Sequence, residues 1–330
     1  MIQHVSSSAL VTVVVTGVGA IIGQGIVRSL RQCSRQVRVV GIDRNANSLG
    51  PYLCDAFYPK PSCSEASPDY MAFWQKILID ESVDLVLPGL EVDLDFLNAE
   101  RESLGEAGAR LGLNTAGLIE LAGDKWLLTG ELKKLGIEPI PTITTNDWDE
   151  CCSVMGSPPF LLKPRQGSGS RGIVRLYDEV DLAYWTRHSE EGFLIQKIMG
   201  TDDEEYTVGS FGCGDGNSPA LIIFRRYLSS AGNTQYAEVV EDDSLQKITE
   251  TLNRHFKPVG PTNYQFRKDH GIPYLLEINP RFSSSGSLRT AFGYNEAEMA
   301  LTFYLDGKKP DIPHVTSGNA WRYAEDFVLK

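Results

Sequence analysis

Thr262-Asn-Tyr-Gln-Phe-Arg267, Lys268-Asp-His-Gly271 and Ile272-Pro-Tyr-Leu-Leu-Glu-Ile-Asn-Pro-Arg281 follow one another without interruption, and the fold depends on how they are read. Apolar and polar side chains alternate in the outer segments, so each is a strand, and the short Gly-ended stretch between them is a hairpin turn. Glu277 and Asn279, two residues apart on the second strand, point to the same face. An antiparallel neighbour can bring Gln265 beside them. Three hard oxygen ligands then converge, a set able to hold one or two Mg2+ together with the phosphates of a nucleotide. Arg281, just past the strand end, adds a forked cation for the same phosphates. A strand that merely ends in a polar turn closed by Pro280 is the plainer alternative.

Upstream, Phe160-Leu-Leu-Lys163-Pro164 is another strand signal, followed by Arg165-Gln-Gly-Ser-Gly-Ser-Arg-Gly172 and a further strand, Ile173-Val-Arg-Leu176. A loop this rich in Gly and Ser lets backbone N–H groups approach an anion closely, and Lys163 can reach the same anion. The order differs from a Walker P-loop, in which the glycines precede the lysine and a helix follows. A simple flexible hairpin is the alternative here.

Taken in order, Lys125, Lys163 with its Gly/Ser loop, Glu205, Gln265, Glu277, Asn279 and Arg281 resemble the ATP-grasp superfamily, and most closely its carbamoyl phosphate synthase large subunit branch. The likeness covers roughly residues 10 to 305 and is strongest over Gly260-Pro-Thr-Asn-Tyr-Gln265 and Leu276-Glu-Ile-Asn-Pro-Arg281. The resemblance implies that Lys163 contacts ATP phosphates beneath a flap carrying Gly167, Ser168, Gly169 and Ser170, with Lys125 as a second phosphate lysine. It implies that Gln196, Lys197 and Ile198 form the hinge that holds adenine through the backbone, and that Glu205 accepts from the ribose hydroxyls. Gln265, Glu277 and Asn279 match the family's magnesium ligands, with Mn2+ as the other candidate metal. Arg281 would stabilise the transferred phosphoryl group, which makes Arg281 and Lys163 the expected catalytic residues.

The resemblance also sets the expected architecture. Residues 1–115 should form an open parallel α/β sheet, Rossmann-like, of the pre-ATP-grasp kind. An ATP-grasp domain should follow over 116–305, with a small lobe about 116–195 and a large lobe about 196–305, then a C-terminal extension, 306–330. Local patterns agree. Leu10-Val-Thr-Val-Val-Val-Thr16 is the continuous β-branched run of a buried parallel strand, and Val37-Arg-Val-Val-Gly-Ile-Asp43 and Asp84-Leu-Val-Leu-Pro88 are later strands separated by a helix, Tyr70 to Ile79. The turn Gly17 to Gly23 reads G-x-G-x-x-x-G, one residue off a dinucleotide fingerprint, with Asp43 placed as a ribose acid would be. Glu91, Asp93 and Asp95 follow a strand end and are candidates to attract an amine substrate, or are simply acids favoured in a first helical turn. Asp124 caps a helix from Lys125 to Leu135, which places a lysine at a helix N-terminus, where the dipole disfavours a cation unless an anion sits there too. Arg225 or Arg226 is a candidate to bind the substrate carboxylate, with a structural ion pair as the equal alternative, and the loop Phe282 to Arg289 is expected to face the acceptor.

Composition sets limits. With 42% hydrophobic and 22% charged residues in 330, this is the make-up of a soluble protein of about two domains. A net charge of -12 without any basic stripe argues against nucleic acid as a partner. The six cysteines form no C-x-x-C pair, as expected of reduced thiols in a cytoplasmic protein. The longest apolar stretch falls well short of the roughly 20 residues of a membrane span.

By resemblance the reaction is an ATP- and Mg-dependent ligation. A small-molecule carboxylate such as an amino acid is activated as an acyl phosphate and attacked by an amine or thiol co-substrate. A homodimer is compatible with this. A single ATP-grasp unit departs from the two-unit carbamoyl phosphate synthase chain, so the product is left open. The alternative of another class is a non-catalytic ATP or metabolite sensor, and a nicotinamide oxidoreductase rests only on the first glycine turn.

Overall fold

A computed structural model describes residues 10–106, 108–167, 172–189 and 192–329. The first sheet is parallel, in the order β3-β2-β1-β4-β5, from β1 (Val11–Thr16), β2 (Val37–Asp43), β3 (Ala56–Pro59), β4 (Leu85–Leu87) and β5 (Arg110–Leu111). All six β1 residues are buried because helices or other elements cover both of its faces. Val14, with Val40 and Ile42, packs against Tyr70, Trp74, Ile77 and Leu78 of the helix Pro68–Asp80. Val13 and Val15 face the other way, onto Ile26 and Leu30 of the helix Ile21–Leu30 and onward to Phe211, Phe224 and Tyr294 of the C-terminal half. This period-two split of one strand joins the first sheet and the last lobe through a single core.

Two antiparallel sheets make up the rest. The smaller runs β6-β9-β7-β8, from β6 (Thr142–Ile143), β7 (Phe160–Pro164), β8 (Val174–Leu176) and β9 (Phe193–Lys197). Phe160, Leu162, Leu176 and Ile195 close its core against Cys151 and Met155 of the helix Trp148–Met155. The larger sheet has the order β14-β13-β10-β11-β12-β15, comprising β10 (Glu205–Cys213), β11 (Leu221–Leu228), β12 (Thr234–Val239), β13 (Val259–Asp269), β14 (Ile272–Asn279) and β15 (Asn319–Trp321). The α/β layer followed by two antiparallel lobes is the mixed architecture expected from the sequence.

Two placements differ from expectation. The helices Ala116–Gly123 and Lys125–Lys134 lie by sequence in the small lobe, yet Leu118, Leu128 and Leu132 pack with Tyr206, Val208, Tyr264 and Phe266 behind the larger sheet. Their apolar faces need a broad surface to cover, and the four-stranded sheet is already backed by its own helix. The C-terminal segment, expected as an extension, returns to the larger sheet: β15 pairs with β12, and Arg322 donates to the backbone oxygens of Thr234 and Ser284 at 2.9 and 2.7 Å.

Candidate active site

Alternation along the central strands divides the larger sheet into an apolar back and a polar front. Tyr206 and Val208 of β10 and Tyr264 and Phe266 of β13 enter the back core, so Glu205, Thr207, Asn263, Gln265 and Arg267 point forward. On β14 the register pairs Asn263 with Asn279 and Gln265 with Glu277, then Phe266 with Leu275. Leu276 is therefore an extra residue, a β-bulge. Without it Leu275 and Ile278, of opposite parity, could not both be buried at the back. The bulge leaves Leu276, Glu277 and Asn279 along the cavity wall. The hairpin was legible from alternation, but the bulge that aims its acid was not.

The front face closes one side of a cavity of about 320 Å3 between the two antiparallel sheets. Lys125, Lys163, Gly167, Gln196, Lys197, Ile198, Glu205, Gln265, Glu277, Asn279 and Arg281 all line it. Ser168, Gly169 and Ser170 of the expected flap lie outside the described residues. Among the described residues of the lining, six cations, Lys125, Lys163, Lys197, Arg226, Arg267 and Arg281, face two carboxylates, Glu205 and Glu277, in a protein whose net charge is -12. Concentrating positive charge in a partly desolvated cleft suits a polyanionic ligand.

Each charge has a definite setting. Lys163 Nζ donates to Gln196 Oε1 at 2.6 Å, and Gln196 in turn donates to the Thr142 hydroxyl at 3.0 Å. Burial lowers the Lys163 ammonium to about 8, with Glu277 opposing the shift and Lys125 adding to it. Lys125 begins its helix beside the capping Asp124, and its Nζ reaches the Gly167 carbonyl at 2.7 Å; burial lowers its pKa too. Arg165 grips both Asp124 oxygens, at 2.9 and 2.8 Å, and its carbonyl accepts from the Lys125 amide, so the flap base is tied to this helix start. Glu205 is buried and accepts from Arg226 at 2.9 Å and from Arg267 at 2.7 Å. These take two of a carboxylate's roughly four acceptor positions.

The expected metal set is brought together. Glu277 Oε1 accepts from the Gln265 and Asn279 side-chain amides, the latter at 2.9 Å, so two amides and one carboxylate meet within hydrogen-bond range. Among the described residues no cluster of three or more His, Cys, Asp or Glu side chains could hold a metal. Here the amide nitrogens face Glu277, while Gln265 Oε1 accepts from Arg226 and Asn279 Oδ1 from Arg281 at 3.2 Å. With both amides turned over, one carboxylate and two amide oxygens make a sparse, hard donor set that fits Mg2+ taking its remaining oxygens from phosphates and water.

Several expectations need correction. Asp93 is fully buried and paired with Lys60, so it meets no substrate. Arg225 donates to the Asp203 carbonyl away from the cavity, and Arg226 is held by Glu205 and Gln265. In the loop Phe282 to Arg289, Ser283 and Ser284 reach the cavity, whereas Phe282 and Arg289 are buried. The Lys197 amide already donates to the Pro141 carbonyl, so that hinge group is occupied. Asp43 turns inward to accept from the Gly19 and Asn45 amides at 2.9 and 2.8 Å, and Gly17, at φ 64°, has the Leu90 side chain packed over it. That turn closes on itself and offers no ribose acid.

The sequence reading missed Asn263. It is 1% exposed yet lines the cavity, and its Oδ1 accepts from Arg289 and Thr207, which directs its amide donors away from them. Arg289 is itself fully buried, paired with Glu296 at 3.0 Å, and lies over Gly209, where a Cβ would come within 2.7 Å of the guanidinium carbon. The available signal was parity: Asn263 shares the face of Gln265.

Comparison with known proteins gives four matches. A family model described as ATP-grasp in the biosynthetic pathway with Ter operon matches residues 190–327. The carbamoyl phosphate synthase large chain of Deinococcus radiodurans is 24% identical over 88% of this chain, which spans 31% of that protein's length. Among solved structures, N5-carboxyaminoimidazole synthetase of Staphylococcus aureus complexed with ADP superposes with a TM-score of 0.71 at 17% identity, over 92% of this chain and 80% of that one. An L-amino acid ligase of Bacillus licheniformis gives 0.67 at 17% identity, over 93% and 76%. At such identities the structural likeness speaks for the fold.

Proposed function

We propose that this chain is an ATP-grasp enzyme, an ATP- and Mg2+-dependent ligase that activates a small-molecule carboxylate as its acyl phosphate and joins it to an amine or thiol. The family-model match over residues 190–327 and the likeness to carbamoyl phosphate synthase support the reading. The observation that carries this reading is the convergence of Gln265, Glu277, Asn279 and Arg281 with Lys125 and Lys163 on one cavity between two antiparallel sheets. A sensor could bind nucleotide without retaining the Glu277 set, and the set is intact. The solved relatives whose names describe ligation of small molecules support the class of reaction and leave the substrate open.

In this reading Lys163 and Lys125 hold the ATP phosphates under the flap, Gln196 to Ile198 border the adenine, and Glu205 accepts from the ribose. Glu277, Gln265 and Asn279 would hold Mg2+, which when bound neutralises phosphate charge. The substrate carboxylate oxygen attacks the γ-phosphorus, ADP leaves, and Arg281 offers its guanidinium to the charge that spreads over the transferred oxygens. The amine or thiol then adds to the acyl carbon, loses its proton, and expels phosphate. Little covalent work falls to the protein; positioning and fixed charge supply most of the acceleration. The small polar Ser283 and Ser284, with Ile22 of the first domain, border the end where an acceptor would lie.

The test is thermal stabilisation by ATP with Mg2+, measured against NAD, followed by phosphate release across a panel of amino and hydroxy acids with and without a second amine. Stabilisation by NAD alone would overturn the assignment.

A further inference from the structure

The side chain that governs Arg281 comes from the other end of the chain. Glu91 opens the helix Glu91–Ala99, directly after β4 of the first sheet, and its Oε2 accepts from Arg281 Nε at 2.7 Å across the boundary between the first domain and the larger lobe. The guanidinium's other bonds are local: one terminal nitrogen donates to the Phe282 carbonyl at 2.9 Å, the other to Asn279 Oδ1 at 3.2 Å. An arginine has five N–H donors in a fixed plane. These three contacts define that plane and leave one N–H on each terminal nitrogen available to an anionic group.

Neither local contact can set the plane alone. The Phe282 carbonyl lies on the neighbouring residue, and Asn279 is itself committed to Glu277 at 2.9 Å. Only Glu91 approaches from an independent element, and it is the only one of the three that carries charge. The Arg281 side chain is 11% exposed and that of Glu91 34%, so the pair sits at the cavity edge with the arginine inside it.

We propose that Glu91 is a positioning residue for phosphoryl transfer: it fixes the Arg281 guanidinium so that its two remaining N–H groups meet the transferred group, and it makes the first domain part of the catalytic apparatus. This rests on the role given to Arg281 above. It replaces the sequence-based expectation that Glu91 attracts an amine substrate, because the carboxylate already has a cation.

The experiment measures binding of ADP with Mg2+, alone and with aluminium fluoride, which mimics the phosphoryl group in transfer. Wild type, Glu91→Ala, Arg281→Ala and the double variant are compared, each checked for folding by circular dichroism. Glu91→Ala should leave ADP affinity within about twofold and reduce the gain from aluminium fluoride on the order of tenfold or more. On the Arg281→Ala background the Glu91 substitution should add nothing, since it acts through that arginine. Glu91→Gln, which keeps an acceptor oxygen for Nε–H, should recover part of the gain and serves as the probe if the alanine variant does not fold. An unchanged gain in folded Glu91→Ala overturns the proposal, as does an equal loss whether or not Arg281 is present. If the wild-type protein binds no ADP, the nucleotide reading itself fails, and the positioning role falls with it.

Discussion

Raising the pH should strip the proton from Lys163 well before an ordinary lysine would lose it, and nucleotide binding should report the change. The perturbation is a titration from pH 7 to pH 9.5. Burial holds the free ammonium at about 8 against a usual 10.5. A shift of this size corresponds to about 3 kcal/mol of differential stabilisation between the two protonation states. The folded chain releases this proton near 8, whereas the unfolded chain keeps it to about 10.5. Below 8 the folded protein therefore bears the full penalty of a buried charge, and between the two values this group's contribution to stability rises with pH. A triphosphate beside the ammonium restores its preference for the charged form. At pH 9 roughly nine-tenths of free Lys163 is neutral, so binding should take up nearly one proton, and affinity should fall about tenfold per pH unit above 8. Calorimetry with a non-hydrolysable ATP analogue in buffers of different ionisation enthalpy measures the uptake directly. Lys163→Arg, always charged, should abolish the uptake and flatten the profile. Equal proton uptake by wild type and Lys163→Met at pH 9 would rule Lys163 out as the source, since the proton would then belong to another group.

Three further outcomes are expected. Glu277→Gln keeps the side chain's size but removes its charge, so nucleotide should still bind while substrate-dependent phosphate release falls on the order of 10²–10³, partly recovered by raised Mg2+. Asp124→Ala removes the cap on the Trp126 and Leu127 amides and the partner of Arg165; it should lower stability by about 1 kcal/mol, seen in chemical denaturation, and speed tryptic cleavage after Arg165. Glu296→Ala strands the buried Arg289 charge and should destabilise the fold by about 3–5 kcal/mol, whereas replacing Arg289 and Glu296 together by apolar residues should cost much less.

The parts of the fold written in local period were legible. Buried β-branched β1, the alternating hairpin β13–β14, and Asp124 as a cap each follow from short stretches whose side chains determine their own geometry. Family likeness carried the reading further, from separate motifs to one cavity. What escaped depends on contacts distant in sequence. The Leu276 bulge is invisible until Leu275 and Ile278 are seen to share a core. Asn263 looks like any polar strand residue until Arg289, 26 positions later, orients it. The Glu91–Arg281 pair spans 190 positions. The packing of Leu118, Leu128 and Leu132 behind the larger sheet depends on which surface is uncovered, and that is a property of the assembled lobes.

The central claim is that this cavity transfers the γ-phosphoryl of ATP to a carboxylate. Its most direct test is to incubate the protein with Mg-ATP, hydroxylamine and a panel of small carboxylic acids, and to measure hydroxamate formed from trapped acyl phosphate alongside ADP. At least one acid should yield hydroxamate and ADP in equal amounts, and folded Glu277→Gln, still able to bind nucleotide, should yield neither. ATP binding with no acid-dependent hydroxamate across the panel would contradict it and leave a nucleotide sensor in its place.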